Sequence, residues 1–415
     1  MAEERVPGFF ARHRKLVIFS VLLLLLGAGA YVARRKVINA QSASEIVTAQ
    51  IRSLLHRRFQ FRDVRYSGAD GLVFEDISLG ERDSYASGDF IKAKRLAIRL
   101  KWKDMVKKQF LIEEIRLTEP TVVLKRKGKG AWNFSDFAAI PKGDGSLQWD
   151  LSRLGIENGR LLVVDDKTST SLMVSTVNAS VSLHRAAPFA VKAETDFSFS
   201  GILRGKAASG AASLSGSMQA GATAVPAKTE GEFSLRGVSA GDYSARRLEL
   251  RWNFDGLDRP LVERKISVEL DGESLLLENL NASAREKGWA YWLLMPVEML
   301  SKAKGFAPPD MDRLAFPAAV VSIKHKAGEW DISKLRLDGD AVRMDISGTI
   351  NAPASSMNLA LDVAVPNHEL DVRLKGSLRQ PEIEPAMSEA ITGGLNAGFA
   401  KLDETLSNLY STGGK

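Results

Sequence analysis

The chain contains no cysteine, which removes disulfide staples, thiolate metal sites and cysteine nucleophiles and leaves both reducing and oxidising compartments open. Histidine is scarce: His13, His56, His184, His325 and His368 are scattered, with no pair four apart and no adjoining carboxylate set, so no metal-ligand spacing exists. No Gly-x-Ser-x-Gly elbow occurs, and the glycines of Gly201 to Lys206 (GILRGK) sit too close together for a phosphate loop. The adjacent acids Asp165 and Asp166 end a strand pattern at a turn, where solvation is their ordinary state. The expectation is a protein that is not an enzyme, with no catalytic residue, no cofactor and no metal.

Long apolar runs are equally scarce, with one exception. Leu16 to Ala33 reads LVIFSVLLLLLGAGAYVA without a charge, flanked by Arg12, Arg14 and Lys15 before it and Arg34, Arg35 and Lys36 after it. At about 1.5 Å per residue this run is just long enough to cross a hydrocarbon core. A short basic tail before an apolar run also resembles a secretory signal, with Ala28-Gly29-Ala30 as a cleavage site. The basic triplet after the run is an unfavourable mature N-terminus, so an uncleaved anchor with an exported C-terminal bulk is the preferred reading and a removed signal the alternative. The near-even flanking charge does not itself set the orientation.

The rest is globular in composition: 415 residues, 45% hydrophobic and 26% charged, with a net charge of +7. Much of the basic excess lies between Arg82 and Lys129, where cations alternate with apolar residues. A solvated strand face explains that pattern better than a nucleic-acid or headgroup site, and no nucleic acid is expected as a partner.

After the anchor, Ser42 and Glu45 have capping-box spacing, and Val47, Ile51, Leu54 and Leu55 follow at helical intervals, predicting a helix over Ala43 to Arg58. Downstream the period becomes two. Leu96, Ile98, Leu100 and Trp102 alternate with polar residues or alanine, as do Phe189, Val191, Ala193, Thr195, Phe197 and Phe199. Leu248, Leu250, Trp252 and Phe254 repeat the pattern, and so do Met357, Leu359, Leu361, Val363 and Val365. Alternation of this kind puts one face of a sheet in oil and the other in water. Turn signals stand at Gly68 to Gly71, Asn158-Gly159, Asp271-Gly272 and Asp338-Gly339.

Ala207 to Lys228, rich in Ala, Ser and Gly, reads as a weak strand or a loop. Trp289 to Lys304 reads as a helix that Pro296 kinks or ends in part, and Pro308, Pro309 and Pro317 mark a linker. Ser347 to Pro353 is echoed by Lys375 to Pro381, a repeated strand end suited to a sheet that grows by similar units. Ile391, Leu395, Phe399, Leu402, Leu406 and Leu409 form a helical stripe, either a cover for the open sheet or an interfacial helix touching a membrane or partner.

The run Phe110 to Phe137 contains a strand ending in Glu119-Pro120, a second strand from Val122 to Arg126, a basic turn, and Gly130-Ala131-Trp132-Asn133-Phe134. This run resembles the AsmA-like proteins of bacterial envelopes, as do Gly71 to Gly80 (GLVFEDISLG), Asn158 to Asp165 (NGRLLVVD) and the strand ends in Gly-Thr or Gly-Ser followed by Pro. Read by themselves, Trp132 and Phe134 are aromatics beside a strand, core rather than ligand contacts.

The resemblance implies one inner-membrane helix, a periplasmic body and an architecture related to chorein-type bridge-like lipid transfer proteins. The fold expected is mainly β: a single N-terminal transmembrane helix, then a long curved antiparallel β-sheet groove or elongated barrel with a few short helices. Its parts are residues 1–40 as cytoplasmic tail and anchor, 41–145 as N-terminal helix and strands, 146–385 as elongated β-rich body, and 386–415 as C-terminal amphipathic helix and tail. About twenty strands would give a body on the order of 100 Å long.

The function implied is binding or conducting phospholipid, or another acyl lipid, along an apolar groove in support of outer-membrane lipid homeostasis. The candidate lipid-facing residues are Leu96, Ile98, Leu100, Trp102, Val191, Phe197, Phe199, Leu250, Trp252 and Phe254. Partners expected are the inner membrane and outer-membrane or envelope assembly proteins. The alternatives are a scaffold for outer-membrane biogenesis that carries no lipid, and, more remotely, a tethered enzyme.

Overall fold

In the computed structural model the alternating segments pair edge to edge into one sheet of nineteen strands. The structure describes residues 45, 48–49, 57–81, 88–100, 110–126, 128, 130–135, 147–184, 189–220, 226–280, 296–298, 300–302, 304–307, 310–386 and 389–412. The first strands are β1 (Phe59–Gln60), β2 (Asp63–Ser67), β3 (Gly71–Gly80), β4 (Asp89–Leu100), β5 (Phe110–Thr118) and β6 (Thr121–Arg126). A middle run follows: β7 (Leu147–Asp165), β8 (Thr170–His184), β9 (Ala190–Leu203), β10 (Lys206–Ala220), β11 (Pro226–Ala240), β12 (Tyr243–Asp255) and β13 (Lys265–Glu278). The last are β14 (Arg313–Lys326), β15 (Glu329–Asp338), β16 (Arg343–Asn351), β17 (Ser356–Val365), β18 (His368–Ser377) and β19 (Pro381–Glu384), before a C-terminal helix, Glu389–Thr412.

Nearly every neighbour in the sheet is the next strand in sequence, joined antiparallel. The exception is β7, which lies parallel to β5 and β6. These two behave as one strand broken at Glu119 (φ 50°) and Pro120, because both bond to β4 on one side and β7 on the other. Parallel strands need a crossover, so the chain returns along the sheet between β6 and β7. Strands β3, β6, β7, β9, β11 and β13 consequently all finish at one end, called here the near end; Gly71, Asp255 and Asn351 lie at the far end.

Among the described residues β19 bonds only to β18, and β1 and β2 bond only to β3, so the sheet is open. The groove form of the expected fold stands and the closed barrel is corrected: strand pairing runs out at both edges. With β1/β2 and β5/β6 lying end to end, seventeen strand widths at about 4.8 Å span on the order of 80 Å, shorter than expected. Leu16 to Ala33 lies outside the described residues, among which no helix is long and apolar enough to cross a membrane. Of the helix expected over 43–58, Glu45, Thr48 and Ala49 are helical, whereas Arg57 and Arg58 at its expected end are not.

Several local expectations change. The Ala-, Ser- and Gly-rich segment is a full strand, β10, paired along its length with β9 and β11. Its neighbours supply the bulk that it lacks, with Phe197 beside Ala212 and Phe233 beside Leu214. Asn158-Gly159 is a bulge inside β7, with Asn158 at φ 52°, rather than a turn. Asp271-Gly272 lies within β13, paired to Glu249 and Leu248, rather than at a turn. Pro317 lies inside β14, not in a linker, at the position where the ladder to β13 skips the left-handed Ser274. A residue without an N–H is tolerated at such an interruption. Pro296, Val297 and Glu298 are helical, and the part of the expected helix before Pro296 lies outside the described residues.

Two side-chain cores close the ends of the sheet. The first gathers Phe59, Leu72, Phe74, Phe90, Leu96, Ile98 and neighbours from β1 to β5. The second packs Leu314, Phe316, Met344, Leu361, Val372 and neighbours against Val297 and Leu300 and against Leu395, Phe399 and Leu406 of the C-terminal helix. That helix is on the order of 36 Å long. It lies crosswise along the far end: Asp403 accepts hydrogen bonds from Ser355 (2.6 Å) and Arg379 (2.7 Å), and Tyr410 reaches β14 and β15.

The last contact has a consistent proton arrangement. His325 is 1% exposed, and its Nδ1 donates to the carbonyl of Arg264 (2.9 Å). Nε2 is thereby left to accept from the Tyr410 hydroxyl (2.6 Å), whose oxygen accepts from Trp330 Nε1 (3.1 Å). Burial pushes the imidazole below its ordinary value and keeps it neutral. Tyr410→Phe would orphan His325 Nε2 and Trp330 Nε1 and should lower stability by about 1–3 kcal/mol, read as an earlier urea midpoint.

Candidate functional site

Residues paired across neighbouring strands share a face, so the register shows how far the apolar side extends. One row runs Val64, Phe74, Leu96, Leu117 and Ile156 across β2, β3, β4, β5 and β7. It continues through Ala179, Thr195, Leu214, Phe233, Leu250 and Leu270 on β8 to β13. It ends with Val321, Leu335, Ile346, Leu361 and Val372 on β14 to β18. Thr195 is its one polar member. Flanking rows place Leu154, Val181, Trp252, Val268 and Ile323 on the same side.

Burial along this row divides it into three. Phe74 and Leu96 at one end and Leu361 and Val372 at the other are buried. Between them, from Ile156 through Leu270, every residue is only half-buried. The middle strands thus present an apolar face that the described chain leaves without a second layer. The opposite face is polar: Arg247 pairs with Glu249 and Glu273, and Arg251 with Glu232, Glu249 and Asp271.

The candidate residues fall into different places. Val191, Phe197, Phe199, Leu250, Trp252 and Phe254 share the middle face and are half-buried. Leu96 and Ile98 fill the first core, 7% and 3% exposed, where side chains already occupy the space. Trp102 and the side chain of Leu100 lie outside the described residues. Leu154, Ile156, Leu214, Phe233, Leu235 and Leu270 join the same face without having been singled out; alternation in Phe233-Ser234-Leu235 carried the signal.

Trp252 sets the floor of this face. A Cβ at Gly231 would stand 2.5 Å from its ring, and one at Gly216 3.5 Å, so the indole lies across two adjacent glycines. Its Nε1 donates to Thr229 (3.3 Å), leaving the ring as apolar surface.

The polar side offers little unpaired chemistry. A concavity there, about 520 Å³, is lined by Glu114, Arg116, Glu157, Glu194, Asp196 and Glu232 among others. Glu114 is bracketed by Arg99 (2.8 Å) and Arg116 (2.7 Å), and Glu194 pairs with Lys192 (2.6 Å). Among the described residues no group of three His, Asp or Glu could hold a metal. The hairpin over Arg204 and Gly205 in GILRGK is a two-residue turn with both residues at positive φ.

The Trp-Asn-Phe signature holds the crossover. Asn133 is fully buried; its N–H donates to the carbonyl of Lys125 (2.9 Å), and its Oδ1 accepts from the N–H of Lys125 (2.9 Å). Its Nδ2 donates to Glu81 (3.0 Å) and to the carbonyl of Val123 (2.8 Å), so one side chain finishes the free edge of β6. Phe134 packs on the first core, and Trp132 lies 5.5 Å from Phe134 and under the guanidinium of Arg126. Asp165 is not the solvated acid expected: it is 4% exposed and held by both arms of Arg126 and by Thr168. Asp166 is the exposed member of that pair.

Arg126, then the Thr168 hydroxyl and the Lys167 N–H, hold the Asp165 carboxyl well below the usual carboxylate range. Its contribution to stability is full above the ordinary aspartate value and is lost as pH falls toward the folded one. Asp165→Asn should flatten the loss of stability between about pH 4 and pH 2, read by urea titrations at each pH. Asn133→Ala should cost about 2–4 kcal/mol, since it strands Lys125 and Glu81 together.

Comparison with known proteins bears on the same segment. No curated protein and no solved structure gives a match. The family model described as the AsmA family matches residues 11–248, more than half of the chain and all of the crossover that Asn133 secures. The chain belongs to the AsmA family.

Proposed function

We propose that this protein binds phospholipid, or another acyl lipid, along the half-buried face of β7 to β13 and serves lipid homeostasis of the bacterial envelope. The observation that carries the reading is the apolar row, interrupted only by Thr195, buried at both ends and half-buried between them. Each methylene removed from water on such a face contributes about 0.8 kcal/mol. Seven strand widths give roughly 30 Å of track, comparable with the hydrocarbon core of a bilayer. Family membership supports an envelope setting, and Leu16 to Ala33 supplies the inner-membrane anchor in this reading, with the sheet in the periplasm.

The reading assigns no catalytic step to the chain. Headgroups would stay at the rim while tails lie against Phe233, Leu250 and the ring of Trp252. A track of this length falls short of an envelope-spanning bridge, so transfer to the outer membrane would need a partner or repeated copies.

The test is mass spectrometry of lipid retained by the gently purified full chain. Phe233→Asp and Leu250→Asp should reduce retained acyl lipid about tenfold, because a carboxylate on an apolar contact is strongly disfavoured. Ser182→Asp, on the polar face between Arg153 and Lys192, should leave it unchanged. Equal lipid in all folded variants would overturn the assignment and favour a scaffold that carries none.

A further inference from the structure

The polar face carries an apolar interruption at the near end. Cross-strand pairing aligns Val123 of β6, Leu162 of β7 and Met173 of β8, and Ile202 of β9 lies one step further toward the turn. Met173 is 51% exposed and Ile202 41%. Leu203, 42% exposed, projects from the opposite face of the same hairpin, so the tip is apolar on both sides.

Cations frame it. Lys167 stands in the β7–β8 turn and Arg204 in the β9–β10 turn, both exposed and neither in an ion pair among the described residues. Asp166 is the exposed acid beside them; Asp165 is taken by Arg126, and Asp242 of the next turn is taken by Lys206. The chain also enters the sheet at this end: Arg57 donates to the carbonyl of Gly80, and the carbonyl of Arg58 accepts from the Gly80 N–H. The chain thus enters the sheet at the same end as these turns.

We propose that the turns joining β7 to β8 and β9 to β10 form a second, peripheral membrane contact that rests on an anionic phospholipid surface. Met173, Ile202 and Leu203 enter the headgroup layer, and Lys167 and Arg204 meet lipid phosphates. Apolar tips alone would suit any bilayer; the unpaired cations select an anionic one. The contact orients the sheet with its near end toward the bilayer, and it stands whether or not the apolar face carries lipid.

Because the chain lacks cysteine, Ile202→Cys offers a single site for an environment-sensitive fluorophore. The full chain is reconstituted into vesicles of phosphatidylcholine alone, or of equal parts phosphatidylcholine and phosphatidylglycerol. A blue shift with phosphatidylglycerol, lost in the Lys167→Glu/Arg204→Glu variant, is expected. Ala354→Cys, at a far-end turn, should report water in both vesicles. Leu203→Cys reads the same contact from the other face of the hairpin should Ile202→Cys misfold. A water-like signal from the β9–β10 labels in both vesicles would overturn the contact, and an equal shift in both, indifferent to charge reversal, would overturn its selectivity for anionic lipid.

Discussion

One constraint governs this molecule: a sheet with a single apolar face must hide that face, and the described chain has too little else to do it. At the first end Phe59, Phe61 and Phe74 pack ring against ring. At the last, two helical segments lie on the strands. Between them the apolar row continues at the same spacing with no described element above it. Layered domains bury such a face against a second sheet or helices, and the described middle strands have neither, the gap that the proposed lipid would fill.

The family's sequence signature turns out to serve this constraint indirectly. Strand β7 can align beside β5 and β6 only if the chain doubles back, and a crossover leaves the edge of β6 in need of partners. Asn133 satisfies that edge with both its backbone and its amide, while the pair Arg126 and Asp165 ties the end of β6 to the end of β7. Trp132, Asn133 and Phe134 are thus residues of construction, fixing the geometry of the crossover.

Much of this was legible in the sequence, for a definite reason. Alternation such as Leu248, Leu250, Trp252 and Phe254 reports a face directly, and the C-terminal stripe of Leu395, Phe399 and Leu406 reports a covering helix. What was not legible depends on neighbours. β10 has almost no apolar side chains of its own and is a strand because β9 and β11 are. Asn158-Gly159 and Asp271-Gly272 look like turns, and only the partner strands make one a bulge and the other ordinary ladder. Leu96 and Leu250 have the same local pattern, yet one is core and the other uncovered, a distinction set by distant packing. Asp165 looked solvated because its partner, Arg126, is far away in sequence.

A sheet finished at both ends and plain in the middle changes its length in even steps wherever its strands are joined by tight turns. Inserting one strand between β7 and β13 would reverse every later strand, exchanging near and far ends and leaving the C-terminal helix to start from the wrong side. Inserting a hairpin preserves direction, face and both terminal cores, and adds about 10 Å of track. Length in this architecture is therefore quantised in hairpins, and it can evolve without redesigning either end.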